Sequence, residues 1–430
     1  MPLTDLTIIR RSLRSRLFST VATIATVAVA VALLLVLLSL RDSWRRAFDR
    51  GTGNMHILVS RDASPLVALL NGVFYANPPQ RPIEWPKYQQ IAGSFPFEFA
   101  IPVQYGDSFR GQPVLATTPE FFEKFQPVPG RPFRLAEGRF LAPEFDDEFE
   151  VVVGSAAAAA RGLSLGDELV LSHGASTESG GLHEHDEFNF TVVGILEPTG
   201  SAHDQALFTH LESSWILHAM DRLERENPGE HIHVYSEDLT DQDRLITGIY
   251  LAVPTRPGAA SSASLQPVFD ALRRDPSITV AQPGQQIGVL RRVVGNIEQV
   301  LLAMAVVVLV SSSVSIMVAL AGSIQQRRRQ IAVLRVLGLS RPRVLWLVLT
   351  ESAVLGALGA LAGIAIAVVG SRLAASILKA RVGLLVEPIL DPLWLLLVLV
   401  GTVVLAALAG LAPALMAYRT SVASHLRPLG

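Results

Sequence analysis

Not one of the 430 residues is cysteine. That excludes a disulfide framework, a thiolate metal site and a cysteine nucleophile. Charge is also scarce: Asp, Glu, Lys and Arg make up 17% of the chain, against about 25% in soluble domains. No stretch reads G-x-x-x-x-G-K-[ST], so the chain has no Walker A phosphate cradle and any ATP hydrolysis belongs to a partner. No interleaving of aromatic and basic residues points to nucleic acid. The acidic run Asp146, Asp147, Glu148 and Glu150 has no nucleophile and base beside it, and reads as a solvated loop rather than a hydrolase site.

What the chain has instead is apolar length. Four runs, 18–40, 297–321, 344–370 and 392–417, carry no charge except Glu298 and Glu351. A helix rises 1.5 Å per residue, so about 20 residues cross the hydrocarbon layer. Four spanning helices follow. The first is too long for a signal-peptide core, and Ser39-Leu40-Arg41 is a poor cleavage site, so it is expected to be retained. Arginines set the orientation. Arg10, Arg11, Arg14 and Arg16 precede the first run, six arginines from Arg327 to Arg343 separate the second and third, and Arg419 and Arg427 follow the fourth. These segments hold 12 of the 36 basic residues and one acid, Asp5, which leaves a net −13 for the rest. The positive-inside rule puts them in the cytoplasm and the long 41–296 segment outside, although Arg41, Arg45, Arg46 and Arg50 lie on the outer side.

The expected fold is therefore a four-span α-helical membrane domain plus an α+β extracytoplasmic domain of two subdomains. Its parts are a cytoplasmic N-terminus, first span and start of a stalk (1–50) and an outer domain (51–284). A stalk with the second span (285–321), a cytoplasmic helix and turn (322–343), the third span (344–370), a short outer loop (371–391), the fourth span (392–417) and a cytoplasmic tail (418–430) follow. Within the outer domain, 51–102 with 245–284 forms a membrane-proximal subdomain and 103–244 a distal one. Strands are expected over 150–154, 168–172, 188–196, 248–254 and 277–282, and helices over 156–160, 214–223 and 265–274. Between the second and third spans, Ile331, Leu334 and Leu337 recur every three residues and Gly338 stops the pattern, which makes a short basic helix. Ser340 caps the next helix, whose first turn tolerates Pro342.

Residues 326–363, QRRRQIAVLRVLGLSRPRVLWLVLTESAVLGALGALAG, resemble the signature of the FtsX-like permease family, which includes MacB-type efflux permeases and lipoprotein-releasing permeases. Arg327–Arg329, Ile331, Leu334-Arg335, Leu337-Gly338, Glu351, Gly356, Gly359 and Gly363 match its pattern. Residues 413–419 resemble its closing motif, and 151–167 with 188–196 its MacB-like periplasmic core domain. Gln330 stands where the family usually has Glu, which removes a charge from the short helix. The resemblance implies a multi-pass protein of the bacterial inner membrane with its large domain in the periplasm. It also implies a non-catalytic permease chain that works as a homodimer or heterodimer with two cytoplasmic ABC ATPase chains, and ATP and Mg²⁺ bound in those partners. On that basis Arg328, Arg329, Gln330, Ile331, Leu334, Arg335, Leu337 and Gly338 form the ATPase-coupling segment; the plainer reading is positive-inside charge against anionic lipid. Export or extraction of a lipid, a lipoprotein or another periplasmic amphiphile is the expected task. The alternatives are a signalling scaffold that regulates a periplasmic enzyme, as the cell-division members do, a membrane receptor without ATPase coupling and, as an outside option, metal-linked export.

Three further features carry expectations. Glu351 lies two turns into the third span, where a carboxylate either stays hydrated at the interface or anchors an arginine of the coupling segment. Gly359-x-x-x-Gly363 lets helices approach closely and is read as a packing point, including one for a second copy. Eight of the ten histidines fall within 173–233. His183 and His185 alternate, so on a strand they share a face and would chelate Zn²⁺. Gly180-Gly181 beside them supports a polar flexible loop instead.

Overall fold

The computed structural model describes residues 9, 12–14, 16–79, 81–173, 183–184, 189–227, 233–256, 262–326, 340–382 and 390–418. They divide into two compact units. One takes 1–44, 294–377 and 386–430, and the other 45–293 with 378–385.

The first unit holds the apolar parts of four long helices. Those helices are Leu17–Asp49, Pro283–Gln326, Arg341–Val382 and Pro392–Ala409, the last followed by Leu411–Tyr418. Each contains a stretch long and apolar enough to cross a membrane. Local chemistry explains the starts. Asp391 accepts the Leu393 N–H at 2.8 Å, and Pro392 fills the first helical position, where no N–H is needed. The helices outrun their apolar runs. The first continues nine residues past Leu40 and the second begins at Pro283. The third continues to Val382, twelve residues beyond the expected end at 370. The residues past 370, Ser371 to Val382, contain no proline or glycine, so nothing in the backbone ends the helix when the apolar run does.

Among the described residues the second unit is built on a mixed sheet of twelve strands, with two more, β2 and β12, paired apart. The fourteen strands in chain order are β1 (Ile57–Ser60), β2 (Ile83–Glu84), β3 (Phe99–Phe109), β4 (Gln112–Thr117), β5 (Leu135–Gly138), β6 (Glu150–Val153), β7 (Glu168–Leu169), β8 (Ser172–His173), β9 (His183–Glu184), β10 (Phe190–Leu196), β11 (Leu207–His210), β12 (Leu245–Ile246), β13 (Gly248–Ala252) and β14 (Thr279–Ala281). The main path runs β14-β1-β13-β3-β4-β11-β6-β10-β5. Strand β1 lies between β13 and β14, antiparallel to both, so the two ends of the outer segment interleave. Parallel pairing occurs in β4–β11 and β6–β10.

The expected division at residue 103 falls inside β3, which runs from Phe99 to Phe109 and pairs with β13 over one half and β4 over the other. The sheet is continuous across that point, and what divides is the core. One cluster gathers Ile57, Val59, Trp215, Ile249, Leu251, Val268 and Val280. The other gathers Val114, Val151, Val153, Leu169, Phe190, Val192 and Leu207. The expected strand over 168–172 is broken into β7 and β8. Asp146, Asp147 and Glu148 are exposed as expected, but Glu150 is buried. Glu150 is satisfied by an ion pair with Arg139 and by the Ala142 N–H at 3.0 Å, because a buried carboxylate needs a partner.

Candidate coupling site in the membrane unit

The first span is the most enclosed helix. Its apolar window is 44% buried, against 22% for the second and the fourth. Small residues on the third span make this packing close. A Cβ added at Gly359 would lie 2.6 Å from Val27, and one added at Gly363 would lie 2.7 Å from the Ala28 carbonyl and Val31. Both glycines therefore seat the chain's own first span. Both are buried there. Gly356 plays the same part against Ala406 of the fourth span. On the other side of the first span, Ser312 of the second donates to the Thr26 carbonyl at 3.2 Å.

Charged groups tie the helices where carbon packing ends. Arg41 pairs with Glu298 at 2.9 Å, with both side chains less than a third exposed. This accounts for the acid in the second run and for one arginine on the outer side of the first. At the opposite end, Arg16 donates to the Ser323 carbonyl at 3.2 Å. Glu351 accepts a hydrogen bond from Ser12 Oγ at 2.5 Å. Its partner among the described residues is thus a serine before the first span. Beside these contacts Ile324, Val344, Val348, Ala414 and Ala417 form one apolar cluster, which joins the inner ends of the second, third and fourth spans.

Arg328, Arg329, Gln330, Ile331, Leu334, Arg335, Leu337 and Gly338, expected from the sequence to form a coupling segment, lie outside the described residues, as does His185. His183 falls on β9, in register with His173 of β8. Among the described residues no group of three or more His, Asp or Glu side chains is arranged to hold a metal. Sequence reasoning missed Ser12, Arg16 and the Arg41 pairing. Part of the signal was there, since each carboxylate inside an apolar run requires a partner, but pairing across 339 residues is not encoded by spacing. It also missed His203, which is fully buried in the outer unit.

Four apolar helices, three after a large mixed-sheet domain and one before it, define a multi-pass membrane protein with an extracytoplasmic domain. The MacB-like periplasmic core domain family matches residues 20–266, more than half of the chain, and the FtsX-like permease C-terminal family matches 302–422. The chain belongs to this family of ABC-type permeases, and its sheet domain is periplasmic. No curated protein matches it. Among solved structures it is similar to the extracellular domain of the noncanonic ABC-type transporter YknZ from Gram-positive bacteria. That match has 7% identity and a TM-score of 0.27, and covers 53% of this chain and 98% of that one.

Proposed function

We propose that this chain is the permease subunit of a complex in which a pair of separate cytoplasmic ABC ATPases drives a conformational change in the periplasmic domain. The cargo is a lipid, a lipoprotein or another periplasmic amphiphile. The carrying observation is the convergence at the inner helix ends. The second and third spans flank residues 327–339, and those spans meet the fourth in the cluster of Ile324, Val344, Val348 and Ala414. The first span is tied to both through Arg16–Ser323 and Ser12–Glu351. A push on the 327–339 segment is thereby shared by all four helices. In this reading the apolar side of that segment docks on the ATPase, and Arg328, Arg329 and Arg335 meet acidic groups there. An amphiphilic cargo agrees with the spans. Their two internal acids are committed to Arg41 and Ser12 rather than to an aqueous path.

Leu334→Asp tests the reading. Co-expressed with the ATPase, the variant should insert normally and hydrolyse ATP while transport falls to background. Transport at the wild-type rate would refute the coupling role. Stimulation of a cell-wall hydrolase in place of trapped cargo would reassign the output to signalling.

A further inference from the structure

The turn after the first spanning helix is gripped from two sides. The helix ends at Asp49. Gly51 has φ +103° and Gly53 φ +50°, left-handed values that glycine adopts without strain. On one side the Gly51 N–H donates to the Pro127 carbonyl at 2.8 Å. Asn54 donates through Nδ2 to the Lys124 carbonyl and accepts the Gln126 N–H at Oδ1, both at 2.9 Å. On the other side stands His203, in the 3₁₀ turn Ala202–Gln205. Its Nε2 lies 3.0 Å from the Gly51 carbonyl oxygen and its Nδ1 2.6 Å from Tyr75 Oη. A carbonyl can only accept, so Nε2 carries the proton and Nδ1 accepts from the tyrosine hydroxyl. Tyr75 is held in turn. It has φ 55°, unusual for a residue with a Cβ, and its carbonyl accepts from Tyr105 Oη of β3 at 3.2 Å.

The surroundings make the histidine notable. The rings of Phe121, Phe125, Phe133 and Phe208 lie 5.5 to 6.3 Å from the imidazole, and its exposure is 0%. A phenylalanine would suit this shell without the cost of desolvating a polar ring. What the imidazole adds is direction: two hydrogen bonds on opposite sides of one rigid ring join the exit turn to the centre of the sheet. Burial lowers its pKa to about 4 despite the Gly51 hydrogen bond, so the neutral tautomer persists at neutral pH. The adjacent Asp204 orders the same turn. It accepts the N–H groups of Thr199 and Gly200 at 2.8 Å each, and a Cβ added at Gly200 would run into the Arg50 guanidinium.

We propose that His203 is a positioning residue for transmission: through the Gly51 carbonyl it fixes how the chain leaves the first spanning helix, so that movement of that helix is passed to Tyr75 and β3 instead of being absorbed in the turn. The inference rests on the reading of the chain as a transmitter, and its test separates the two. In the full-length protein in lipid nanodiscs, hydrogen–deuterium exchange of the amides in 50–55 should quicken at least tenfold in His203→Phe. The β1–β13 ladder, 57–60 with 248–252, should stay protected. His203→Gln, which keeps an N–H donor, should stay near wild type. If His203→Phe does not fold, Tyr75→Phe should quicken the same amides to a smaller extent. Unchanged exchange in 50–55, or loss of protection throughout the sheet, would overturn the proposal; the second result would make His203 an ordinary core residue. With the ATPase co-expressed, His203→Phe should hydrolyse ATP and lose transport, and full transport with a loosened turn would overturn the positioning role. A wild-type chain that shows the local exchange pattern but supports no coupled hydrolysis would sink the transporter reading and leave the clamp standing.

Discussion

His203 makes the outer domain sensitive to acid, and the sign follows from where its proton binds. The ordinary imidazole value is 6.5 and burial lowers the folded value to about 4. The unfolded chain therefore binds the proton more readily. Stability is complete above about pH 6.5, declines as pH falls from there to about 4, and loses nothing further from this group below that. The full loss is about 3 kcal/mol from a shift of this size. Burial also lowers His56 and His210, which act in the same direction. Thermal unfolding at pH 7.5 and pH 4.5 should thus show a large loss in the wild type and a smaller pH-dependent loss in His203→Gln. An equal loss in both would show that this histidine is not the titrating group. Glu150 behaves differently. Burial alone would raise its carboxyl, but hydrogen bonds from Arg139 and Ala142 hold it below the usual range. None of these environments is visible in the sequence, where His203 is one of eight histidines in a polar stretch and Glu150 closes an acidic run.

At the scale of elements, the close approach of the third span to the first depends on two missing side chains. Gly359→Val or Gly363→Val would place atoms inside contacts already at 2.6 to 2.7 Å from a Cβ position. Overpacking of this kind costs about 1–3 kcal/mol, and the transition in detergent should move to lower temperature. Gly370→Ala is the control: nothing lies within 4 Å of the added Cβ, and alanine is the better helix former. An equal effect of all three substitutions would locate the cost in the helix backbone instead of the packing. The existence of the four spans was legible in their apolar runs, and so were β6, β10, β13 and the helix Leu265–Leu272. Their ends were less so. The third helix outlasts its apolar run because hydrophobicity reports what lipid accepts, whereas backbone hydrogen bonding decides where a helix stops. The glycine spacing marked a packing surface without naming its occupant.

For the molecule as a whole, orientation is the property from which the proposed direction of energy flow follows. The lack of native cysteine makes it directly measurable. A single cysteine at Glu237, which is exposed on the periplasmic domain, should react with a membrane-impermeant maleimide on spheroplasts. One at Ser340, which is exposed and follows directly on residues 327–339, should react only after permeabilisation. The reverse pattern would invert energy input and output. The sequence by itself determined the number of spans, their orientation and the presence of a large outer domain. These follow from the cost of placing charge or unpaired backbone in hydrocarbon, a cost that each segment incurs alone. Only the tertiary structure decided that β1 lies between β13 and β14, that the first span lies at the heart of the bundle, that Arg41 answers Glu298 and Ser12 answers Glu351, and that His203 reaches Gly51. Those arrangements depend on directional contacts between residues far apart in the chain, and such contacts leave no periodicity for a sequence to display.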